Sequence, residues 1–520
     1  MDFLVALIPL VPLLATLIIG LGQFSHFLDG SRTEALTSRI ACWSVYITTA
    51  LCFWLLWLDS NNALTQTYTV GTWLKSGTFI VSLSFQTAGP GLILSCLFSL
   101  LFIVIFRFSR NYLHSEKGFH RFFMLLSLFV FAMYMILLSG NVIMTFIGWE
   151  LAGASSFLLI AFAWHRENAS KNACMVFIVN RVGDAFFILA AILCHTWLNT
   201  LEWPEINTQI RTLGATQINL IAFSFAMAAM VKSVQFPFTW WLNRSMEGPT
   251  PSSAVFYGGV MVHSGVFLLI LLSPVFDHSS AISLLLITIG MLTFAYSLLS
   301  AQTQVDIKSS LGFSTAGQLG LMFVECGFGL WQLAFIHLCA HAVVRCYLYL
   351  TAPSILHNVH GNPVIPVTLK HPLLRWLSLA SLHNFWLEEA SHQIISKPCL
   401  QLSRDLAKLD DNFVDPLIGL PTAAVLSGAR LAQREEEIIG ARLDTDENNF
   451  SSGSGFAGHL TAWVAACSGW FEHHFVLQGI EQKLPSAGRR LGFVANSIEQ
   501  LLLRTRYLII FIVIVLLFAL

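Results

Sequence analysis

The chain has 520 residues, 55% of them hydrophobic and only 11% charged, against roughly 25% charged in soluble domains. Its 28 Lys and Arg balance 29 Asp and Glu, so no basic surface for nucleic acid is indicated. With 42 Phe, 15 Trp and a mean hydropathy of +0.69, the composition excludes an ordinary soluble domain and describes an all-α polytopic membrane protein.

Apolar runs of spanning length fall near 3–22, 40–58, 90–107, 121–138, 140–163, 172–194, 218–241, 252–273, 281–300, 309–327, 330–352 and 506–520, which predicts about twelve membrane helices. The first run lacks a basic leader and a small-residue cleavage site, so it reads as a membrane helix, not a signal peptide. Between the second and third runs, TQTYTVGTW and GTFIVSLSF alternate around Lys75-Ser76-Gly77 and predict a small β-hairpin. Short loops on one side carry Arg32, Arg39, Arg107, Arg110, Lys117, Arg121, Arg166, Lys171, Arg244 and Lys308, and those on the other carry Lys75 and Arg211. That asymmetry puts the basic side in the cytoplasm and the N-terminus outside.

Two charges stand alone near the middle of apolar runs: Glu150 in NVIMTFIGWELAGASSFLLIAFAW and Lys232 in INLIAFSFAMAAMVKSVQFPFTWW. A charge at the bilayer centre costs roughly 2.5–3.5 kcal/mol on insertion scales, and persists where it faces protein, a partner charge or water. The pair reads as two stations for a moving proton, the other reading being a static pair that fixes helix packing. Pro237, Pro249 and Pro251 follow Lys232 and predict a broken helix near 232–251. Irregular backbone at membrane depth is tolerated only where protein or a water-filled cavity satisfies it.

Arg181 and Asp184 lie three apart in FIVNRVGDAFF, on one helix face, either as a structural pair or as part of the path. Tyr257 and His263 follow in SSAVFYGGVMVHSGVF, where a histidine serves as a relay or as a satisfied core residue. His337, His341 and Arg345 recur at every fourth position and line one helix face, as a hydrated half-channel or as helix–helix hydrogen bonds. Gln304, Asp306 and Lys308 start the run at 309–327, and Glu325 reads as interfacial at its far end.

After Pro353 charges return, and residues 360–505 hold no clear span. This stretch reads as amphipathic helices on the cytoplasmic membrane surface, the other reading being a small cytoplasmic domain. The organisation expected is therefore 1–59, N-terminal helices; 60–89, hairpin loop; 90–355, translocating core; 356–505, surface helices; and 506–520, a final anchor. The ten Cys are scattered without a C-x-x-C pair, and no Gly-x-x-x-x-Gly-Lys phosphate loop appears. No cofactor or metal is expected in this subunit, and redox or nucleotide chemistry belongs to a partner.

WELAGASSFLLIAF, NRVGDAFF, MVKSVQFPFTWWLNRSMEGPTPSSA, QTQVDIKSSLGFSTAGQLG and HLCAHAVVRCYLYL occur in succession. They resemble the signatures of the antiporter-like, proton-translocating membrane subunits of respiratory complex I (the NuoL or NdhF type), Mrp antiporters and membrane hydrogenases. The resemblance covers about 60–355 and implies that Glu150 and Lys232 are the family's helix-5 acid and broken-helix lysine. It also implies a polar axis through Tyr257, His263 and Arg345. Tyr257 stands where the complex I type has a His, and Arg345 where it has a Lys. Arginine does not lose its proton in practice. The family's second broken helix, with its own lysine, is missing, and HNFWLEEASHQIISKPCLQLSRDL resembles the surface segment before the long lateral helix of NuoL.

A shortened form of this kind looks like DabB, the membrane subunit of two-component inorganic-carbon (carbon dioxide and bicarbonate) uptake systems. That resemblance implies proton or cation conduction in a bacterial inner membrane, beside a soluble, zinc-containing, carbonic-anhydrase-like DabA partner on the cytoplasmic face. The subunit would couple transport and not catalyse alone. The alternative is a NuoL/NdhF-type proton-pumping subunit of complex I (NADH-quinone oxidoreductase, with its subunit 5-like chain) or of a membrane-bound hydrogenase, with other complex membrane subunits as partners. A structural scaffold is the third reading.

Overall fold

A computed structural model of the chain describes residues 2–61, 64–77, 79–259, 261–304, 306–352 and 371–410. Two units divide it, Met1–Cys399 and Leu400–Leu520, and of the second only 400–410 is described, as the end of the helix Lys397–Leu409. The surface helices expected beyond 410 and the anchor at 506–520 lie outside the described residues.

The first unit opens with α1 (Leu4–Phe24) and α2 (Glu34–Ser60), then β1 (Thr67–Ser76) and β2 (Phe79–Gln86). Four long helices follow: α3 (Pro90–Tyr112), α4 (Phe119–Leu138), α5 (Val142–Ile160) and α6 (Glu167–Leu198). Next come the short α7 (Trp203–Gln209), α8 (Ala215–Lys232), α9 (Trp241–Arg244) and α10 (Thr250–Ser253). The chain continues through α11 (Ser264–Leu271), α12 (Ser273–Asp277), α13 (Ser280–Ala301), α14 (Ile307–Gly327) and α15 (Trp331–Thr351).

Nine helices among the described residues are long and apolar enough to cross a membrane. The run at 252–273 is corrected by the structure: it is not one helix. It breaks into α10, a π-helical stretch Ala254–Gly259 and α11. The run at 309–327 is helical as α14, but its Gly, Ser and Gln content keeps it below the hydropathy of the nine.

The core sits around α4, whose aromatic residues Phe122, Phe123, Phe129 and Tyr134 are fully covered by α1, α2, α3 and α5. Outward-facing apolar residues on α1 and α2, among them Leu17, Ile18, Trp43, Trp54 and Trp57, remain exposed, as lipid-facing positions are in a membrane protein. Helices α13 and α14 cross at Gly290 and Gly320, where a Cβ on either would lie 2.4 or 2.6 Å from the other's carbonyl oxygen. Small residues let the backbones approach that closely.

The hairpin pairs antiparallel from Thr67 with Gln86 to Ser76 with Phe79, and two register shifts bend it. It is fastened to the start of α5. Asn141 caps that helix by accepting from the Met144 amide at 2.9 Å, and its Nδ2 donates to the Ser82 carbonyl at 2.7 Å. Ser84 Oγ donates to Glu202 at 2.7 Å from the other side. Burial pushes the Glu202 carboxyl up, against the opposing pull of the hydrogen bonds from Ser84, Ser82 and Asn141.

Candidate functional site

Lys232 is the last residue of α8, and the chain beyond it is irregular as far as α9. Val234 takes a positive φ of 62°, and Pro237 has no amide proton to continue the ladder. Side chains satisfy groups that the break frees. Trp241 Nε1 donates to the Val231 carbonyl at 3.0 Å, and the Phe236 amide donates to Thr293 Oγ1 at 2.9 Å. The break expected near 232–251 is therefore present; Lys232–Gln235 and Phe238–Leu242 are buried, and Pro237 between them is exposed.

The lysine side chain is 1% exposed. Its Nζ donates to the Trp149 carbonyl at 3.2 Å and lies 5.0 Å from the centre of the Trp149 ring. The residue after Trp149 is Glu150, the ninth residue of the 19-residue α5. Glu150 does not meet Lys232 directly; its carboxylate pairs with the Arg181 guanidinium from α6. Arg181 also reaches Asp184 Oδ2 at 2.9 Å, one turn along its own helix. That second contact is an ion pair by distance but lacks the alignment of a hydrogen bond. Asp184, Arg181 and Glu150 all act electrostatically on Lys232. The four groups form one cluster of two basic and two acidic side chains. Arg181 and Glu150 keep 35% and 28% of their side-chain surface uncovered.

A second polar group begins on the far side of the break. Ser233 Oγ, next to Lys232, donates to the carbonyl of Val262, next to His263, at 2.6 Å. The two helix breaks therefore touch. Gly265 makes this approach possible, since a Cβ there would lie 2.3 Å from Ser233 Oγ and 2.4 Å from the Ala229 carbonyl oxygen. From the second break the hydrogen bonds run on into α15. His263 Nε2 meets His341 Nδ1 at 2.8 Å, and Arg345 Nε donates to His341 Nε2 at 3.0 Å. Arg345 Nη2 donates to Ser314 Oγ of α14 at 2.7 Å.

His337 lies one turn before His341, its ring 6.2 Å away. It places Nδ1 2.9 Å from Glu325 and Nε2 3.1 Å from Gln318 Oε1. Glu325, expected at the far end of α14, lies two residues before its last residue, with its carboxylate paired with His337 and only 17% exposed. Tyr257 is fully buried with its ring 5.6 Å from that of Tyr349, whose hydroxyl lies 3.5 Å from Thr315 Oγ1.

The structure thus brings Glu150, Arg181, Asp184 and Lys232 into one cluster and His263, His337, His341 and Arg345 into a second. It joins them at Ser233 and sets Tyr257 beside the second through Tyr349. Sequence reasoning misses Trp149, Ser233, Ser314 and Gln318. Trp149 and Ser233 are signalled only by standing next to Glu150 and Lys232, and Ser314 and Gln318, one turn apart on α14, have no charged residue within a turn to signal them. No group of three or more His, Cys, Asp or Glu that would hold a metal exists among the described residues.

Residues 139–368, which contain both clusters, match the family described as NADH:quinone oxidoreductase/Mrp antiporter, TM. The membrane core of this chain belongs to that family. Curated relatives agree. NADH-ubiquinone oxidoreductase chain 5 of Cryphonectria parasitica is 33% identical over 355 residues, 66% of this chain and 54% of that protein. The chain 5 protein of Bos indicus is 36% identical over 290 residues, 56% of this chain and 47% of its own length. NAD(P)H-quinone oxidoreductase subunit 5 of the Paulinella chromatophora chromatophore is 31% identical over 363 residues, covering 68% and 54%. The chain spans about half the length of the curated relatives it matches. Among solved structures, the Mrp complex from Dietzia sp. DQ12-45-1b superposes with a TM-score of 0.58 at 25% identity, over 66% of this chain and 37% of that one. The archaeal membrane-bound sulfane sulfur reductase shares the fold alone, with a TM-score of 0.59 at 16% identity over 74% of this chain and 80% of that one.

Proposed function

We propose that this multi-pass protein is a proton-translocating subunit of a larger membrane complex of the quinone-oxidoreductase and Mrp kind. One observation carries the reading: two polar clusters, each built from groups that take or steer protons, meet at paired helix breaks inside an otherwise apolar core. Discontinuous helices of this sort line ion pathways. Protons enter or leave through the His337–His341 face of α15, and Glu150 and Lys232 exchange them across the first cluster. Arg181 and Asp184 set the charge around that exchange. The uncovered share of the Glu150–Arg181 pair supports partners within the membrane, because a charge at this depth is not left against lipid. Cofactors belong to those partners. The basic loops support an N-terminus outside a bacterial inner membrane.

A second reading rests on a separate observation. The Lys residues after Thr351 are Lys370, Lys397, Lys408 and Lys483, and none lies in an apolar run of spanning length. Within residues 352–520 no lysine is therefore placed as a second station of the Lys232 kind, which supports a DabB-type reading. The flow would then be downhill, and one proton crossing 100 mV releases about 2.3 kcal/mol, roughly a fifty-fold bias for a partner's reaction. The names of the relatives favour the respiratory reading over this one.

The test is proton uptake by proteoliposomes of the full chain under an imposed potential. Wild type carries a current that Glu150→Gln removes while the protein still inserts. An unchanged current in the variant makes Glu150 structural and ends the proposal. The two readings part in cells lacking carbonic anhydrase. Bicarbonate accumulation with a zinc-containing, DabA-like soluble partner, abolished by a protonophore and indifferent to NADH or quinone, decides for the second.

A further inference from the structure

Arginine is a donor only, with no acceptor and no accessible neutral form. Its Nε–H points at His341 Nε2, 3.0 Å away. That nitrogen must therefore accept, and the ring proton of His341 must sit on Nδ1. Nδ1 lies 2.8 Å from His263 Nε2, so His263 Nε2 accepts in turn and His263 carries its own proton on Nδ1. One fixed donor sets the tautomer of two histidines in a row. The guanidinium is itself held, because Nη2 donates to Ser314 Oγ at 2.7 Å, across from α15 to α14.

This arrangement does not pass a proton. Moving the Nδ1 proton of His341 to His263 would leave His341 an imidazolate unless its Nε2 gained a proton at the same time. Arg345 occupies that nitrogen with a hydrogen that it does not release. We propose that Arg345 is the gate of the histidine relay, a positioning residue that holds His341 in the closed tautomer until the guanidinium swings away. When it does, His341 Nε2 takes a proton from hydronium, leaving water. The Nδ1 proton passes to His263 Nε2, His341 is left neutral with its hydrogen on Nε2, and His263 carries the positive charge. The other titratable groups near His341 are His337 on its own helix and, through His337, Glu325 of α14. A lysine at this position would take part in the hopping; an arginine blocks it.

The inference rests on the proton-translocation reading, and its test separates the two. The full chain, labelled with 15N-histidine, is placed in nanodiscs for tautomer measurement and in liposomes for passive proton leak. In wild type, His341 shows a protonated Nδ1 and an unprotonated Nε2, assigned by its loss in His341→Gln. Arg345→Met mixes the tautomers and raises the leak roughly tenfold, because a hydrogen bond to a charged group biases a population by about a decade. Adding His263→Gln to Arg345→Met removes the extra leak. Ser314→Ala, which loosens the brace without touching the arginine, raises the leak by a smaller factor and keeps the test alive if Arg345→Met does not insert. A leak that falls or stays level in both variants, with the His341 nitrogen signals unchanged, overturns the gate. The broader proposal fails differently: wild type then carries no Glu150-dependent current, while the tautomer result still decides whether the lock exists.

Discussion

Replacing Gly265 by alanine tests whether the contact between the two helix breaks holds the site together. The new Cβ would lie 2.3 Å from Ser233 Oγ and 2.4 Å from the Ala229 carbonyl oxygen, both far inside van der Waals contact. One neighbour is backbone and cannot rotate away. The other is the hydroxyl that binds the Val262 carbonyl at 2.6 Å, so moving it opens the link between the clusters. Overpacking a core by one methyl costs about 1–3 kcal/mol. Losing the Ser233 hydrogen bond adds about 1 kcal/mol. The expected cost is therefore about 2–4 kcal/mol, read as an earlier unfolding transition of the detergent-solubilised chain. Proton flux in liposomes should fall together with it, because the displacement sits between Lys232 and His263. Gly71→Ala is the control, since nothing lies within 4 Å of a Cβ there. If Gly265→Ala melts and conducts like Gly71→Ala, the breaks are not in the contact described and the argument for a joined path collapses.

Other variants test other parts. Arg181→Met removes the ion-pair partner that Glu150 and Asp184 share and leaves Lys232 as the one base of the cluster. Its cost should sit toward the low end of the roughly 3–5 kcal/mol for breaking a buried pair, since Arg181 is 35% exposed, and an unchanged melting curve would show the pair to be idle. Gly153→Ala brings a Cβ to 3.2 Å from Arg181 Nη2 and 3.7 Å from Lys232 Nζ, so it should lower proton flux with little loss of stability; equal flux would place the exchange elsewhere. Asp306→Ala removes the cap that accepts from the Ser309 amide at 2.9 Å and should cost α14 about 1 kcal/mol, seen as faster amide exchange in its first turn. The folded-state pKa of Glu202 is raised by burial, so the folded protein binds more protons than the unfolded chain above the ordinary glutamate value of about 4.3. Its contribution to stability is then largest at low pH and declines as pH rises through the raised value. Glu202→Gln should remove that decline, and a melting-temperature difference from wild type that does not change with pH would refute the assignment.

Lone charges stand out in apolar sequence, and for that reason Glu150, Lys232, Arg181 and Asp184 are legible from the order of residues alone. The first helix break is legible as well, because Pro237, Pro249 and Pro251 leave a chemical mark. The second break is not. The run at 252–273 is apolar throughout apart from a few small and polar residues, and Pro251 lies only at its edge, so hydropathy reads it as one helix. Partner choice is also hidden. Lys232 is the obvious mate for Glu150, yet the helix geometry gives that place to Arg181 and leaves Lys232 on a backbone carbonyl. The pairing of Glu325 with His337 joins two helices, and no pattern within either one encodes it. Spacing puts His337, His341 and Arg345 on one face. That the arginine donates to the histidine four residues before it depends on side-chain rotamers, which spacing does not specify.

Lys232→Arg tests most directly whether protons move through this core. The substitution keeps a positive charge at the buried end of α8 but makes it permanent, since arginine does not give up its proton. Measured as potential-driven proton uptake into liposomes containing the full chain, the variant should insert normally and carry no current above protein-free vesicles. A Lys232→Arg protein that conducts like wild type would mean that only a fixed charge is needed there, and would contradict a path in which Lys232 itself takes and releases the proton.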